Sequence, residues 1–434
     1  MAPEHRLRVG IIGAGVSGLS AARSFEVRIA NGEEIEYLIV EGADRIGGRV
    51  LPVPHVGDFD LFEDFSQIHA EGITINREDS ASFASFVDDL EDKYTALAAV
   101  KPDASVKEVF DVEFQQFMAE DNRESRRVMF ESLARFYLSY YEMEWAAPCS
   151  KLSLSNFVNW DDGMPEDQKD SSFVLNKMGF KKILDILGAP IPKEKICLGK
   201  TVTNIDYSNG SSVKLSYADG TNDEFSTVIV TCSLGHLKRN SSTLFIPSLP
   251  KTKLEAIHSL GFGDMQKLFI EYETPFWEEN TTSIKTIGSP GCHLFGRGNL
   301  FEVVEWSPKV LVLWLSGIAV HCAAKMDHSS ISSVLTQHLR MALNDPSIPE
   351  PKRLIRHSWY SDPLHLGSYS FLTPESSSLG DANALLAQPI QSEDNSRPLV
   401  CFAGEATHSV IYQTVVGAFI SGEREAKRIL GELN

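Results

Sequence analysis

Arg8–Phe25, RVGIIGAGVSGLSAARSF, decides the fold. Arg8 to Ile12 is short, apolar and rich in Val and Ile, the composition of a buried strand. It stops at Gly13-Ala14-Gly15-Val16-Ser17-Gly18, after which Leu19, Ala21, Ala22 and Phe25 recur at helical spacing. Gly13 permits a tight turn, Gly15 lets the backbone approach a pyrophosphate, and Gly18 lets helix and strand pack closely. The phosphates then sit at the positive N-terminal end of the helix. Taken alone, GxGxxG is equally a glycine turn before an ordinary helix, so the context matters. The next strand, Ile35 to Val40, ends at Glu41, where a carboxylate can accept hydrogen bonds from the adenosine ribose. The interval exceeds the usual ~20 residues, and the polar connection Asn31 to Glu36 absorbs the excess.

The turn that follows, Gly42 to Val50, holds Arg45, Gly47, Gly48 and Arg49. Two guanidinium groups around a glycine pair place charge and bare backbone N–H donors beside a diphosphate. A solvent-facing basic turn is the alternative.

At 434 residues the chain has room for two or three domains and a large core. Its 43% hydrophobic and 23% charged residues exclude a disordered chain. The net charge of −19 argues against nucleic acid or anionic membrane as a partner and suits a cationic substrate. Six scattered cysteines show neither CxxC nor zinc-like spacing, so reduced thiols and no metal site are expected. Met1 to Leu7 runs directly into the first strand, leaving no room for a signal peptide, and no apolar run reaches the ~20 residues of a membrane span. The last four residues, Gly431 to Asn434, carry no peroxisomal targeting tripeptide. A cytoplasmic protein is expected.

The glycine turn, the acidic strand end and the RxGGR of Arg45 to Arg49 together resemble the FAD-binding signature of the flavin amine oxidase superfamily, which includes monoamine oxidases, polyamine oxidases and lysine-specific histone demethylases. Phe402-Ala403-Gly404-Glu405-Ala406-Thr407-His408 and Tyr412 to Gly422 resemble its C-terminal strand, flavin loop and closing helix. The resemblance implies noncovalent FAD held by Gly13, Gly15, Gly18, Glu41, Arg45, Gly48, Arg49, Val202, Gly404, Glu405, Thr414 and Val415. Val202 would contact adenine through its backbone and Glu405 the ribityl and phosphate region. Noncovalent attachment follows from Ser368, which stands where monoamine oxidases carry a flavin-linked cysteine.

Between the ends, residues about 80 to 150 read as helices: Phe83, Phe86, Val87 and Leu90 form one stripe, Met129, Leu133, Phe136, Tyr137 and Tyr140 another. Val202 to Tyr207, Ser212 to Tyr217 and Thr227 to Thr231 read as strands, with turn signals at Asn209-Gly210 and Asp219-Gly220. Lys267 enters an apolar strand followed by Pro275-Phe276-Trp277. The resemblance makes it the lysine bonded through a water to flavin N5, assisting reaction of reduced flavin with O2; an edge-strand lysine that discourages aggregation is the alternative. Leu152-Ser153-Leu154, Asn159-Trp160-Asp161 and Met178-Gly179-Phe180 resemble segments of the polyamine oxidase branch, and Trp359-Tyr360-Ser361-Asp362-Pro363 with Gly367-Ser368-Tyr369-Ser370 resembles the superfamily's tryptophan-turn segment that packs near the flavin.

The expected fold is therefore α/β: a discontinuous Rossmann-like FAD-binding domain of the glutathione reductase type (1–78, 192–250 and 385–434) and a mixed-sheet and helical substrate domain (79–191 and 251–384). The expected function is oxidation of an amine, a polyamine or acetylpolyamine above others, by hydride transfer to flavin N5 with O2 as acceptor, giving aldehyde, amine and H2O2. Tyr369 and Tyr412 are candidate aromatic walls. One region departs from relatives: Asp60 to Gly72 lacks their tryptophan and close-packing glycine, although His69 aligns with their histidine as a substrate ligand or a structural residue. Glu63, Asp64 and Glu71 either attract a polyamine or form a solvated loop. Val416 stands where polyamine oxidases often have histidine. These departures keep open an FAD-binding protein with lost or altered activity, or a flavin oxidoreductase for another substrate.

Overall fold

In the computed structural model, which describes residues 7–50, 68–70, 75–120, 123–161, 180–289, 292–304, 307–394 and 396–433, the glycine turn closes the central strand of a parallel sheet. The strand Leu7–Ile12 lies between Ile35–Val40 and Thr227–Val230, parallel to both. Ile196–Cys197 extends one side and Pro398–Phe402 the other, with Ile390–Gln391 antiparallel at the edge. Strands buried on both faces need continuous apolar sequence, which Thr227–Val230 and Pro398–Phe402 supply.

Small residues set the helix packing. The helix Val16–Ala30 runs beside the C-terminal helix Val415–Ile429. Ser20 Oγ donates to Phe419 O at 2.7 Å, and a Cβ added to Gly422 would lie 2.1 Å from Ser17 O. That close approach brings the N-termini of both helices to one end of the sheet. A four-stranded sheet, Asn222–Phe225, Val213–Tyr217, Val202–Asp206 and Phe245–Ile246, packs its apolar face on the same core.

The second six-stranded sheet runs Arg353–Arg356, Met265–Glu271, Val310–Ser316, Gly298–Val303, Ser283–Ile287 and Ile68–Ala70. Met265–Glu271 is an interior strand, so Lys267 is not an edge lysine. Ile68–Ala70 pairs in parallel with Ser283–Ile287, joining this sheet rather than the dinucleotide-type one. Helices Arg77–Ala98, Val106–Ala119 and Arg127–Glu144 bury the aromatic stripes read from sequence, with Phe83, Phe130 and Tyr137 fully enclosed. Ser105 and Glu108 close a capping box at the second of these.

Several elements lack an expectation above, among them the strand Asn222–Phe225, which pairs with Val213–Tyr217, and the helix Leu234–Leu244, capped by Ser233. All six cysteines are free. Among the described residues no helix is long and apolar enough to cross a membrane.

Candidate cofactor and active site

The ends of the parallel strands, the two helix N-termini and the interior strand of the second sheet enclose a cavity of about 670 Å3. That lies within the usual range of about 300–1,000 Å3 for ligand sites. Gly13, Gly15, Glu41, Gly48, Arg49, Val202, Gly404, Glu405, Thr414 and Val415 line it, together with Lys267, Ser368 and Tyr369. Residues from both ends and the middle of the sequence thus share one wall.

The glycines differ in what surrounds them. Gly13 has φ +108°, and a Cβ there would lie 2.5 Å from Thr231 Oγ1. At Gly18 a Cβ would meet Gly13 O at 2.0 Å, so this glycine serves the strand–helix contact. Beside Gly15 the nearest atom to such a Cβ is Gly48 Cα, 4.0 Å away. The protein leaves that space open to the cavity. The helix Val16–Ala30 has no side-chain cap, and Gly15, Val16 and Ser17 line the cavity at its start.

Glu41 is buried and already holds the turn, accepting from Ala14 N at 2.6 Å and Ala43 N at 2.8 Å. Each oxygen retains acceptor capacity toward the cavity. Arg49 pairs with Glu405 at 2.9 Å and also donates to Ser368 O. Glu405 Oε2 in turn accepts from Ser370 Oγ at 2.7 Å and Gln413 N at 2.9 Å. Arg45 instead turns onto its own loop, donating to Ile46 O and Gly48 O, and does not line the cavity. Thr414 caps the C-terminal helix by accepting from Gly417 N at 2.8 Å.

Lys267 Nζ sits 3.8 Å from the ring centroid of Trp314, its register partner on the neighbouring strand. Trp314 Nε1 donates to Glu302 Oε2 at 2.8 Å. Burial pulls the Lys267 ammonium down to about 8, and the charge of Glu302 opposes that shift.

The other expected residues separate. Tyr369 lines the cavity and its hydroxyl donates to Glu144 O at 3.1 Å. Tyr412 lies behind the lining, fully buried, with its hydroxyl on Asn156 Oδ1 at 2.9 Å. His69 stands opposite Thr286 in the strand Ile68–Ala70 and is absent from the described lining. Asp60, Glu63, Asp64 and Glu71, like Met178 and Gly179, fall outside the described residues. Ser368 is buried, its hydroxyl accepting from Met265 N at 2.7 Å.

Sequence reasoning missed His236 and His365 and placed Trp359 and Gln413 only within segments near the flavin; all four are on the cavity wall. His236 Nδ1, Trp359 Nε1 and Gln413 Nε2 are buried with no hydrogen-bond partner among the described residues. Buried polar atoms are normally satisfied, so these three mark places where a polar ligand supplies the partner. No described group of three or more His, Cys, Asp or Glu could hold a metal ion.

Comparison with known proteins gives the same direction. Over 278 residues the chain is 32% identical to a peroxisomal N(1)-acetyl-spermine/spermidine oxidase of Bos taurus, matching 58% of this chain and 54% of that protein. The chain thus spans about half the length of such relatives. Polyamine oxidase 1 of Oryza sativa subsp. japonica is 27% identical, covering 98% of this chain and 97% of its own. Lysine-specific histone demethylase 2 of Homo sapiens is also 27% identical, over 98% of this chain and 53% of its own. A redesigned putrescine oxidase has the same fold, with a TM-score of 0.67 at 18% identity over 98% of this chain and 99% of that one. The profile of flavin containing amine oxidoreductases matches residues 60–430, and with the cavity above it establishes that the chain belongs to that family.

Proposed function

We propose that the chain binds FAD noncovalently and oxidises an amine, a polyamine or acetylpolyamine above others, with O2 as acceptor. The observation that carries this reading is Lys267: a buried ammonium that lines the same cavity as the glycine turn. When bound, the isoalloxazine supplies the acceptor for hydride from the carbon next to the amine nitrogen and returns the electrons to O2.

This chain's own residues bind, orient and exclude water. The open space beside Gly15 and the uncapped helix start fit a diphosphate, and Glu41 fits the adenosine ribose. The orphaned polar atoms of His236, Trp359 and Gln413 fit the polar edges of a dinucleotide. Ser368 offers a hydroxyl where a covalent flavin link needs a thiol. Trp314 and Phe269 make an apolar surround near Lys267, which favours the uncharged form of an entering amine. Lys267 holds a proton at Nζ, and its charge there favours negative charge developing on dioxygen.

Two alanine variants of equal size separate ligand space from fold space. Gly15→Ala is expected to weaken FAD binding at least about tenfold, ~1.4 kcal/mol, with the melting temperature of flavin-free protein unchanged within about two degrees. Gly18→Ala is expected to lower that temperature, because its Cβ meets Gly13 O and overpacking costs ~1–3 kcal/mol. Flavin fluorescence titration and thermal melts of the two proteins check this; the reverse pattern contradicts the cradle assigned to Gly15.

The activity itself is tested by recording the visible spectrum anaerobically while adding spermine, spermidine and their acetylated forms. Bleaching of the oxidised flavin band by one of them is the expected result. A flavin band that none bleaches removes the polyamine assignment, and no flavin band after reconstitution removes the cofactor as well.

A further inference from the structure

His365 lies in none of the motifs that led to the cavity, yet it reaches the middle of the dinucleotide turn. It is 8% exposed and lines the cavity. Its backbone is fixed from two sides, N donating to Asp362 O at 3.1 Å and O accepting from Ser233 Oγ at 2.7 Å. Nδ1 stands 2.9 Å from Asp362 Oδ2, an ion-pair distance without the alignment of a hydrogen bond, while Asp362 Oδ1 accepts from Leu364 N at 2.8 Å. The other ring nitrogen faces the glycines: a Cβ on Gly48 would lie 4.0 Å from His365 Nε2 and 3.3 Å from Gly15 Cα. The imidazole edge therefore borders the space that Gly15 and Gly48 leave open at the start of Val16–Ala30.

Resting on the FAD reading above, we propose that His365, oriented by Asp362, binds the diphosphate through Nε2–H and that binding takes up one proton. The chemistry follows from the two nitrogens. A carboxylate at Nδ1 selects the neutral tautomer with its proton there, which leaves Nε2 as a lone pair. Diphosphate oxygens are acceptors, so Nε2 must gain a proton to meet them. The ring then becomes an imidazolium between the carboxylate and the diphosphate, with the proton drawn from solvent.

Without the ligand, several groups act on the ring. Burial lowers its affinity for a proton, Asp362 opposes this, and Arg49 and Arg45, from the Gly42–Val50 turn, add to the lowering. The start of the helix Leu234–Leu244 contributes Ser233 and His236, and burial pushes His236 toward its neutral form. A bound diphosphate reverses the balance. Affinity is thus highest below the free ring's pKa, falls as pH rises toward the bound ring's pKa, and levels off above it.

The test is titration of the full-length, flavin-stripped chain with FAD at pH 5.5 and pH 8.5, followed by flavin fluorescence. For the unaltered chain the Kd is expected to rise at least fivefold between the two. His365→Ala is expected to weaken binding about tenfold at pH 5.5 and to show no rise, and His365→Gln, a neutral donor, to bind between the two with an equally flat profile. If His365→Ala fails to fold, Asp362→Asn serves, with a smaller rise expected. ADP as competitor should show the same pattern, and adenosine none of it. Equal Kd values and equal pH slopes in the unaltered chain and in His365→Ala overturn this assignment alone. Failure of the unaltered chain to bind FAD or ADP at either pH overturns the cofactor reading and this assignment with it.

Discussion

Lys267→Met is expected to slow reoxidation of the reduced flavin by O2 by about 10²–10⁴-fold, the range for losing a positioned proton-bearing group. Reduction by the amine should change far less, because Met fills much of the same apolar volume beside Trp314 and carries no charge. The pH profile separates a chemical role from a structural one. Burial holds the ammonium at about 8, so reoxidation in the unaltered protein should be fast below that pH and decline as pH rises through it. In the variant it should be slow and flat. Stability carries the same signature with its own sign: between about 8 and the ~10.4 of an unfolded lysine the unfolded chain binds more protons, so stability rises with pH there. The variant loses the share of that rise that Lys267 supplies, while Lys238 and Lys253, which burial also holds low, keep theirs. Stopped-flow mixing of reduced protein with oxygenated buffer decides the matter, and an unchanged reoxidation rate removes Lys267 from the reaction.

Glu405→Ala should produce the largest loss of stability. The carboxylate is 4% exposed, pairs with Arg49, and accepts from Ser370 Oγ and Gln413 N. It therefore ties together the Arg49 turn, the Gly367–Ser370 segment and the entry to the C-terminal helix. Removing one member of a buried pair leaves the other charge uncompensated, at a cost of ~3–5 kcal/mol. Denaturant unfolding of the flavin-free proteins should show that loss, and the variant should purify without flavin. A difference below about 1 kcal/mol means that Arg49 finds another partner and that Glu405 is not the tie.

Much of this arrangement is legible in the sequence because its determinants are local. Gly18 is demanded by its contact with Gly13 O and Gly13 by its own φ of +108°, the apolar strand Ile35–Val40 announces itself, and the aromatic stripes at Phe83–Leu90 and Met129–Tyr140 have helical spacing. The strand Asn222–Phe225 does not, since only Phe225 is buried and the other three residues are polar. The helix Leu234–Leu244 is obscured by its run of Lys, Arg, Asn and Ser. Within the cavity, residues in motifs were nameable, whereas Trp314 reads only as one more apolar residue of Val310–Ser316 until Lys267 is placed across from it. His365 is marked by its tertiary approach to Gly48, which no spacing encodes. Tyr412 was expected at the ligand but braces Asn156 one layer behind, a distinction that depends on side-chain direction.

The parallel sheet that carries the dinucleotide turn also imposes an order on synthesis. The strand Pro398–Phe402 that covers Thr227–Val230 is translated about 170 residues after it. At about 5–20 residues per second the nascent chain waits on the order of 10–35 s with Val228 to Val230 lacking that neighbour. Glu405 and the helix Val415–Ile429 follow still later. The cofactor cradle is therefore completed only once these late segments have emerged, and flavin loading acts as a report that translation has passed the helix Val415–Ile429.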